Sequence, residues 1–273
     1  MEFSPSTKLA AVIGNPVTHS MSPLIHNAIY AHESVDAVML AFGNPSIEKL
    51  VGAIRTLPVH LVAITMPHKQ SVIPLLDSIS DDAREIGSVN TILNRDGKLF
   101  GFNTDLTGIA ASLKDVALKN KHVLIIGAGG VAQPIAYHLR KSGAKIFCHN
   151  RDPKQTKALC KKFGGTEVDA KTMASMPFDV IINATPVGMP PNTDASPIEK
   201  SLIRPNSFVF DVVYAPVETK LLRDAREQGA RSISGLTMFV AQAIEQERLW
   251  LGKDIADAGY TALVEKELKA RSR

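Results

Sequence analysis

One short stretch of the chain decides its fold: His122-Val123-Leu124-Ile125-Ile126, followed at once by Gly127-Ala128-Gly129-Gly130-Val131-Ala132. The apolar run predicts a buried strand, and the glycines after it match the G-x-G-x-x-G/A pattern, with alanine in the third position. In that pattern, residues without bulky side chains let the backbone turn tightly and approach a pyrophosphate at the N-terminus of the following helix. The stretch therefore predicts a dinucleotide-binding domain.

The position of this glycine turn predicts a second domain, because more than a hundred residues precede it. In both parts of the chain, predicted strands alternate with predicted helices, which is typical of α/β proteins. We expect an N-terminal α/β substrate domain, a Rossmann-type domain with a doubly wound parallel sheet, and C-terminal helices that return to the first domain. The predicted substrate domain comprises residues 1–104 and 238–273, and the predicted dinucleotide domain comprises residues 105–237.

Two local expectations concern the first domain. Ser22 is predicted to cap a helix whose first residue is Pro23, because serine and proline are favoured at these positions. Residues 70–86 are predicted to be helical despite Pro74.

The end of the second strand of the dinucleotide domain indicates which cofactor binds. An NAD-binding domain usually has an acidic residue there, whereas this chain has Asn150-Arg151. An arginine can donate two parallel hydrogen bonds to a 2′-phosphate, so the pair favours NADP. Asp152 argues in the opposite direction and keeps NAD open as an alternative.

Four polar clusters in the first domain lie at the ends of predicted strands. They contain Ser20 with Ser22, Thr65 with Lys69, Asn90 after Ser88-Val89, and Asp105 after Asn103-Thr104. Each cluster alone is also typical of a helix cap, a turn or a surface charge. Together they lie at strand ends, where open α/β sheets bind ligands. Hydroxyl, amide, ammonium and carboxylate groups in one place would suit a polyhydroxylated carboxylic acid.

The ordered set of motifs resembles the shikimate dehydrogenase family, which includes shikimate and quinate dehydrogenases. The matching motifs are Gly14-Asn15-Pro16 with His19-Ser20-Met21-Ser22-Pro23, Thr65-Met66-Pro67-His68-Lys69, Val89-Asn90-Thr91, Asn103-Thr104-Asp105, Gly127-Ala128-Gly129-Gly130, Asn150-Arg151, Asn183-Ala184-Thr185-Pro186 and the tail from Gly235 to Ala243. They cover most of the chain, from about residue 12 to residue 252. The resemblance implies the reversible, NADP-dependent reduction of 3-dehydroshikimate to shikimate.

The resemblance also implies roles for individual residues. The implied substrate and catalytic residues are Ser20 and Ser22 for the carboxylate, Thr65, Asn90 and Gln242 for the ring hydroxyls, and Lys69 with Asp105 as the catalytic pair. The cofactor residues are Gly127, Ala128, Gly129, Gly130, Val131 and Ala132 at the phosphates, Asn150 and Arg151 at the ribose, Thr185 and Met189 in the loop that flanks the cofactor, and Gly235 near the nicotinamide. Tyr214 is implied to lie near the carboxylate or the nicotinamide.

The sequence departs from the family pattern at four positions. Ala63 stands where asparagine is common, Leu106 replaces a glycine, Gln133 replaces an arginine, and Asp152 replaces a threonine. These departures keep open a quinate or shikimate-like paralogue that also uses NAD. A non-catalytic protein that binds a dinucleotide is a further alternative, against which both Lys69 and Asp105 argue.

Composition and residue spacing limit the kinds of partner, cellular location and metal site that we expect. The net charge of +4 is spread along the 273 residues without an aromatic-interleaved basic stripe, so no nucleic-acid partner is expected. No apolar run approaches the roughly 20 residues that cross a membrane, and no signal peptide is recognisable, so we expect a cytoplasmic protein. The histidines lack the spacing of a metal site, and none is expected. A monomer and a homodimer both stay open.

Overall fold

The computed structural model describes residues 4–271, which divide into two compact units. Unit 1 consists of the described residues up to Asp105 together with Val240–Val264. Unit 2 consists of Leu106–Phe239 together with the described residues from Glu265 onward. Each unit contains one six-stranded sheet.

Unit 1 begins with a mixed α/β sheet. Its elements are β1 (Lys8–Gly14), α1 (Ser22–His32), β2 (Ala37–Gly43), α2 (Ile47–Thr56), β3 (Val59–Ile64), β4 (Ser78–Ile79), α3 (Asp81–Ile86), β5 (Thr91–Arg95) and β6 (Lys98–Phe102). The strand order is β2-β1-β3-β5-β6-β4. Strand β1 is parallel to β2 and β3, while β5 and β6 form an antiparallel hairpin beside β3. The carboxyl ends of β1 and β3 are therefore neighbours.

From Asp105 onward, strands alternate with helices, and the two helices after the last strand, like the first helix, have residues in both units. In chain order these are α4 (Asp105–Leu113), β7 (His122–Ile126), α5 (Ala132–Lys141), β8 (Lys145–His149), α6 (Pro153–Phe163), β9 (Thr166–Glu167), α7 (Ala170–Ser175), β10 (Val180–Asn183), β11 (Phe208–Asp211), α8 (Lys220–Glu227), β12 (Arg231–Ser234), α9 (Gly235–Leu251) and α10 (Tyr260–Arg271).

The second sheet confirms the predicted doubly wound arrangement. Its strand order is β12-β11-β10-β7-β8-β9, and all neighbouring strands are parallel. Counted from β7, this is the order 3-2-1-4-5-6 of dinucleotide-binding sheets, read from its other edge. The order reverses between β7 and β10. The loops after these two strands lie at the switch point, where such sheets bind ligands.

Alternating side chains of β1 place helices on both faces of the first sheet, as the period of two along a strand requires. Ala11 and Ile13 pack in one apolar cluster with the buried side of α2, which contributes Ile54. Ala10 and Val12 face the opposite cluster, which contains Tyr30 of α1 and, at its border, Leu249 and Trp250 of α9. Helix α1 and the end of α9 therefore share one face of the sheet.

Several helices begin where the sequence provides a capping side chain. The hydroxyl of Ser46 accepts a hydrogen bond from the backbone of Lys49 at the start of α2, and Thr219 caps α8 through Leu222. Each cap satisfies one backbone donor that the helix itself leaves unpaired.

The expected helix over residues 70–86 is wrong. A short 3₁₀ turn, Ile73–Leu75, is followed by β4 and then by the six-residue helix α3. Pro74 has no backbone donor, so it is tolerated in the first turn of a helix and interrupts a longer one. Strand β4 instead pairs with β6 at the edge of the sheet.

The expected cap at Ser22 is also wrong. Helix α1 already begins at Ser22, its capping position is Met21, and no side chain caps it. The backbone N–H of Ser22 donates to the hydroxyl of Ser20, at 3.2 Å. Ser20 therefore provides the local acceptor that was assigned to Ser22.

Candidate functional site

The four polar clusters of unit 1 are joined by backbone hydrogen bonds between consecutive segments. Each bond links two polar segments that are consecutive along the chain. The bonds run from Asn15 N to Met66 O (2.9 Å), from Val89 N to Lys69 O (2.8 Å) and from Asn90 N to Phe102 O (3.1 Å). The side chains that the sequence placed at strand ends therefore belong to one continuous region.

An ion pair occupies this region. Lys69 follows β3 and donates from Nζ to Oδ2 of Asp105, at 2.6 Å. The lysine side chain is 16% exposed and the carboxylate 5% exposed, so the ammonium is accessible while its partner is almost enclosed. Asp105 is the first residue of α4, where the positive end of the helix dipole favours a carboxylate. The pair can hold a proton donor in a fixed position.

Asn90 connects this ion pair to α9. Its Nδ2 lies 2.9 Å from Oδ1 of Asp105, 3.0 Å from Oγ1 of Thr104 and 3.3 Å from Oε1 of Gln242. Its Oδ1 accepts from the backbone N–H of Thr104, at 2.7 Å. Because buried polar groups are costly when unpaired, this bonding fixes the amide tightly. Lys69, Asp105, Asn90 and Gln242 form one hydrogen-bonded network.

Two members of this region were not singled out from the sequence. Thr104 bonds both ends of the Asn90 amide. It belongs to the motif Asn103-Thr104-Asp105, but no role of its own was assigned to it from the sequence. Gln246 donates to Oγ1 of Thr91, at 2.9 Å, and to the backbone oxygen of Asn90, at 3.2 Å. The available signal was the spacing of Gln242 and Gln246, because residues four apart share a helix face.

Three hydroxyl residues complete the predicted substrate set. Ser20 and Ser22 lie at the start of α1, and Thr65 follows β3. The methyl of Thr65 lies so close to Gly14 that a Cβ on this glycine would be 2.3 Å away. The hydroxyls of Ser22 and Thr65 make no hydrogen bond with any of residues 4–271, so both are available to a ligand.

The glycine turn of unit 2 connects β7 to α5, with Ala128, Gly130 and Val131 in the loop and Ala132 as the first helical residue. Gly127 has a φ of 108°, and a Cβ there would be 2.8 Å from the oxygen of Ala184. An added Cβ at Gly129 would meet no atom of the described residues within 4 Å. The first glycine is thus required by the protein itself, while the second leaves backbone open for a pyrophosphate.

The start of α5 suits an anion. The capping position is Val131, which has no capping side chain. Ala132 N donates to the oxygen of Gly129 at 3.1 Å and Pro134 has no N–H, so Gln133 provides the N–H that the first helical turn offers to a ligand, where the helix dipole favours an anion. Gly127 N donates to the oxygen of His149 at 2.8 Å, which links the glycine turn to the end of β8. The residues present fit a dinucleotide pyrophosphate.

The predicted ribose residues follow β8 directly. Asp152 accepts a hydrogen bond from the backbone of Lys154, at 2.9 Å, and thereby caps α6. Asn150 lies 3.4 Å from the backbone oxygen of Asp152. Arg151 is exposed and has no ion-pair partner within the part of the chain that the structure describes. The carboxylate that argued for NAD is engaged by its own helix, and the guanidinium is free.

The loop after β10 lies against the glycine turn. Asn183 accepts from the backbone N–H of Thr185, at 3.0 Å, and from its hydroxyl, at 2.6 Å. A Cβ on Gly127 would be 2.9 Å from the Thr185 methyl. Met189 closes the loop by donating from its backbone to Pro186, at 3.1 Å. Thr185 and Met189 are therefore held in the switch-point loop.

Gly235 and Tyr214 lie beyond β11. Gly235 opens α9, and a Cβ there would be 2.1 Å from the oxygen of Val212, so no larger residue fits without movement of the backbone. Tyr214 stacks on Phe239 with ring centroids 4.6 Å apart. Both predicted residues belong to unit 2.

A buried carboxylate supports the same edge of the second sheet. Asp211 accepts from Asn183 (2.9 Å), from the backbone of Val213 (3.0 Å) and from the hydroxyl of Thr219 (2.6 Å). Burial raises the pKa of Asp211 to about 6, against the lowering effect of these hydrogen bonds. Its position behind Asn183 indicates a structural role.

Within residues 4–271, no three histidine, cysteine, aspartate or glutamate side chains are placed to share a metal ion. None of the helices in that part of the chain is long and apolar enough to cross a membrane.

Two family models match the chain in succession. The first, described as the shikimate dehydrogenase substrate binding domain, matches residues 12–92. The second, described as shikimate / quinate 5-dehydrogenase, matches residues 109–214. The first match contains three of the four polar clusters, and the second contains the glycine turn.

Known proteins resemble the chain over nearly its whole length. The shikimate dehydrogenase (NADP(+)) of Pyrococcus abyssi is 41% identical over 251 residues, which cover 90% of this chain and 92% of the relative. The crystal structure of shikimate dehydrogenase from Aquifex aeolicus has a TM-score of 0.91 and 37% identity, and the match covers 96% of this chain and 99% of that one.

A further solved structure is shikimate 5-dehydrogenase from Thermus thermophilus in complex with NADP(H) and shikimate. It has a TM-score of 0.87 and 31% identity, with 95% of this chain and 99% of that chain covered. Sequence, domain models and fold thus agree. The chain belongs to the shikimate dehydrogenase family of oxidoreductases.

Proposed function

We propose that the chain catalyses the reversible, NADP-dependent reduction of 3-dehydroshikimate to shikimate, with Lys69 and Asp105 as the catalytic pair. The observation that carries the proposal is the 2.6 Å ion pair between these residues, bonded through Asn90 to Gln242. The family relationship and the ligands of the Thermus thermophilus relative support the choice of substrate and cofactor.

Lys69 acts on the ketone oxygen of the substrate. When bound, NADPH supplies the hydride that reduces the ketone carbon. The oxygen then carries developing negative charge and needs a proton. The Lys69 ammonium stabilises that charge and donates the proton, and in the direction of oxidation it accepts the proton back.

Asp105 orients Lys69 and is itself held in place. One carboxylate oxygen, Oδ2, accepts from the ammonium, while Oδ1 accepts from Asn90. This arrangement keeps the carboxylate from rotating and holds Nζ in a fixed direction. In this proposal Asp105 also bonds a hydroxyl next to the reacting carbon.

The remaining polar groups of unit 1 suit the rest of the substrate. Ser20 and Ser22 would bind the carboxylate, since hydroxyl donors at a helix start favour an anion. Three further residues would bind the ring hydroxyls: Thr65, Asn90 and Gln242. A site built to bond hydroxyls rejects analogues that lack them, because its buried polar groups are then left unpaired.

Unit 2 would hold NADP. The glycine turn would bind the pyrophosphate, Asn150 and Arg151 the phosphorylated ribose, and the segments at Thr185, Met189 and Gly235 the nicotinamide end. A role for Tyr214 near the carboxylate or the nicotinamide stays a prediction. In functional terms, residues 1–104 and 238–273 are assigned to the substrate and residues 105–237 to the cofactor.

The test of the reaction is a comparison of kcat/KM for shikimate and quinate, each with NADP⁺ and NAD⁺. We expect shikimate with NADP⁺ to be the best combination. NADP⁺ should be preferred over NAD⁺ by at least about tenfold, because a free Arg151 and a helix-bound Asp152 favour a 2′-phosphate. The competing function is a quinate or shikimate-like dehydrogenase that also uses NAD, which Ala63 and Asp152 motivate. Equal turnover of quinate, or of shikimate with NAD⁺, would establish that competitor instead.

The catalytic assignment is tested by Lys69→Ala. Loss of a general acid that also stabilises charge is expected to lower kcat about a thousandfold, while circular dichroism stays unchanged. The matched control is Lys121→Ala, which breaks a more exposed lysine–aspartate pair with Asp179, at 2.9 Å, in unit 2. If Lys69→Ala kept a kcat like that of the control, the acid–base role would be wrong.

A further inference from the structure

A second cluster of ionisable side chains lies buried in unit 1. Glu247 of α9 accepts two hydrogen bonds on the same oxygen, Oε1, from Nδ1 of His26 at 2.5 Å and from the hydroxyl of Tyr30 at 2.8 Å. Both donors belong to α1, and all three residues are 0% exposed. Burial and the neighbouring carboxylate raise the pKa of Tyr30 well above its usual value, so its hydroxyl stays a donor.

Such a cluster is expensive in free energy. Removing a carboxylate from water is costly, and replacing buried polar groups by apolar side chains of similar size is often neutral or stabilising. The surroundings here are apolar: the face of α1 that carries His26 and Tyr30 also buries Ile25 and Ile29. Apolar side chains of similar size often join two helices at no greater cost. Stability alone therefore does not account for the directional bonds.

The two helices carry candidate substrate residues close to the cluster. Ser22 lies four residues before His26 on α1, and Gln242 lies five residues before Glu247 on α9. Residues four apart share a helix face, so Ser22 and His26 lie on the same side of α1. A shift or rotation of α1 against α9 would change the separation of Ser22 and Gln242.

Helix α9 is also anchored near the candidate catalytic pair, through Gln246, the residue before Glu247. Gln246 donates to Thr91 and to the backbone of Asn90. Glu247 therefore extends a connection that begins at Asn90 and continues across α9 to α1. Apolar contacts tolerate small sliding movements, whereas a carboxylate with two directed donors permits one register.

We propose that Glu247, by holding His26 and Tyr30, is a positioning residue that sets the distance between Ser22 and Gln242 and thereby the affinity for the substrate. The proposal rests on the proposed function for the roles of Ser22 and Gln242. His26, Tyr30 and Glu247 do not touch the substrate and act only through the two helices.

The test compares variants by their KM for shikimate. Glu247→Leu removes the acceptor and is expected to raise this KM tenfold or more, while KM for NADP⁺ and kcat at saturating shikimate change less than about threefold. Glu247→Gln keeps an oxygen that accepts both donors, so KM is expected to return to within about threefold of the wild type. A KM for shikimate that stays at the wild-type value in folded Glu247→Leu would overturn the proposal.

A second variant guards against misfolding. The triple change His26→Phe, Tyr30→Phe and Glu247→Leu leaves no unpaired polar group, so it is expected to be more stable than Glu247→Leu alone. Its KM for shikimate should nevertheless stay raised. The matched control is Ile54→Ala, which opens a cavity beneath α2, a helix without a candidate substrate residue. If KM followed the loss of stability in all variants, control included, the positioning role would be refuted.

Wild-type kinetics separate this inference from the proposed function. If the wild type turned over quinate and not shikimate, the proposed function would fail, and the same KM comparison with quinate would still test the positioning role. If neither were turned over, calorimetric titration of shikimate into wild type and Glu247→Leu would decide: equal affinities, or no binding to either protein, would overturn the inference.

Discussion

Each of the two sheets has a similar cluster of polar side chains at a strand end, but the aspartates of the two clusters bond different groups. In each, a buried asparagine at a strand end or next to one is bonded to a nearby threonine and to an aspartate. The sets are Asn90, Thr104 and Asp105 in unit 1, and Asn183, Thr185 and Asp211 in unit 2.

The aspartates differ in what faces their second oxygen. Asp105 meets the Lys69 ammonium, whereas Asp211 meets the neutral hydroxyl of Thr219. A cation beside a carboxylate makes a charged pair that can exchange a proton with a ligand. A neutral donor leaves the carboxylate as a buried brace for the surrounding loops. One lysine thus distinguishes a candidate reactive centre from a structural one.

The largest expected difference concerns activity. Asp105→Asn leaves Lys69 without its charged partner and is expected to lower kcat about a hundredfold or more. Asp211→Asn is expected to lower kcat less than about fivefold, because an amide can bond Val213, Asn183 and a reoriented Thr219. Steady-state kinetics with shikimate and NADP⁺ measure both. Similar losses in the two variants would break the comparison.

The second prediction concerns stability against pH. The folded protein binds the Asp211 proton more tightly than the unfolded chain does, since its pKa rises from 3.8 to about 6. Stability from this group is therefore present below pH 4 and is lost as pH rises towards 6. Two pKa units at about 1.4 kcal/mol each correspond to a loss of about 3 kcal/mol.

Urea unfolding at pH 4 and pH 7 of the wild type and Asp211→Asn measures this contribution. The fall in unfolding free energy with rising pH should be steeper in the wild type, because the variant has no titrating group at this position. An identical pH dependence in the two proteins would show that Asp211 does not titrate in this range.

The third prediction separates two glycines of the same turn. Gly127→Ala forces a side chain into a positive φ and against Ala184, and is expected to cost about 2 kcal/mol of stability. Gly129→Ala meets no neighbouring atom and should leave stability unchanged. Its methyl instead stands where a pyrophosphate would approach, so KM for NADP⁺ should rise about tenfold. Unfolding curves and cofactor titrations of the two variants are the measurement, and a reversed pattern would contradict the assignment.

The smallest expected effect is at the ribose end. Asp152→Ser keeps an acceptor at the start of α6 and removes a negative charge next to Arg151. The change removes the repulsion between the Asp152 carboxylate and a 2′-phosphate. Two charges about 6 Å apart in water interact by roughly 0.7 kcal/mol, so the preference for NADP⁺ over NAD⁺ should increase about threefold. Asp257→Ser, which alters an equivalent acceptor before α10 in unit 1, is the control and should leave the ratio unchanged.

Local patterns predicted much of the fold. The alternation of strands and helices and the glycine turn follow from short-range preferences, and the second sheet has the expected parallel order. The prediction of one helix over residues 70–86 was wrong because it gave too little weight to Pro74. The edge strand β4 in that range depends on pairing with the distant β6. A two-residue strand has no local signal of its own.

The candidate site was likewise predicted only in part from the sequence. The polar clusters at strand ends singled out Lys69, Asp105 and Asn90, whereas Gln242 and the roles of all four residues were implied by the resemblance to the family. Sequence alone did not reveal that Asn90 bonds both Asp105 and Gln242, because these contacts span 15 and 152 residues.

The amino-acid sequence by itself determined the family, the fold class and the chemical groups available for a reaction. Only the tertiary structure decided which of those groups meet: that Asp105 faces an ammonium, that Asp152 caps its own helix, and that Glu247 joins α9 to α1. The physical reason is distance. Periodicity and turn preferences act over a few residues, whereas a hydrogen bond between helices more than two hundred residues apart exists only after the sheet has brought them to one face.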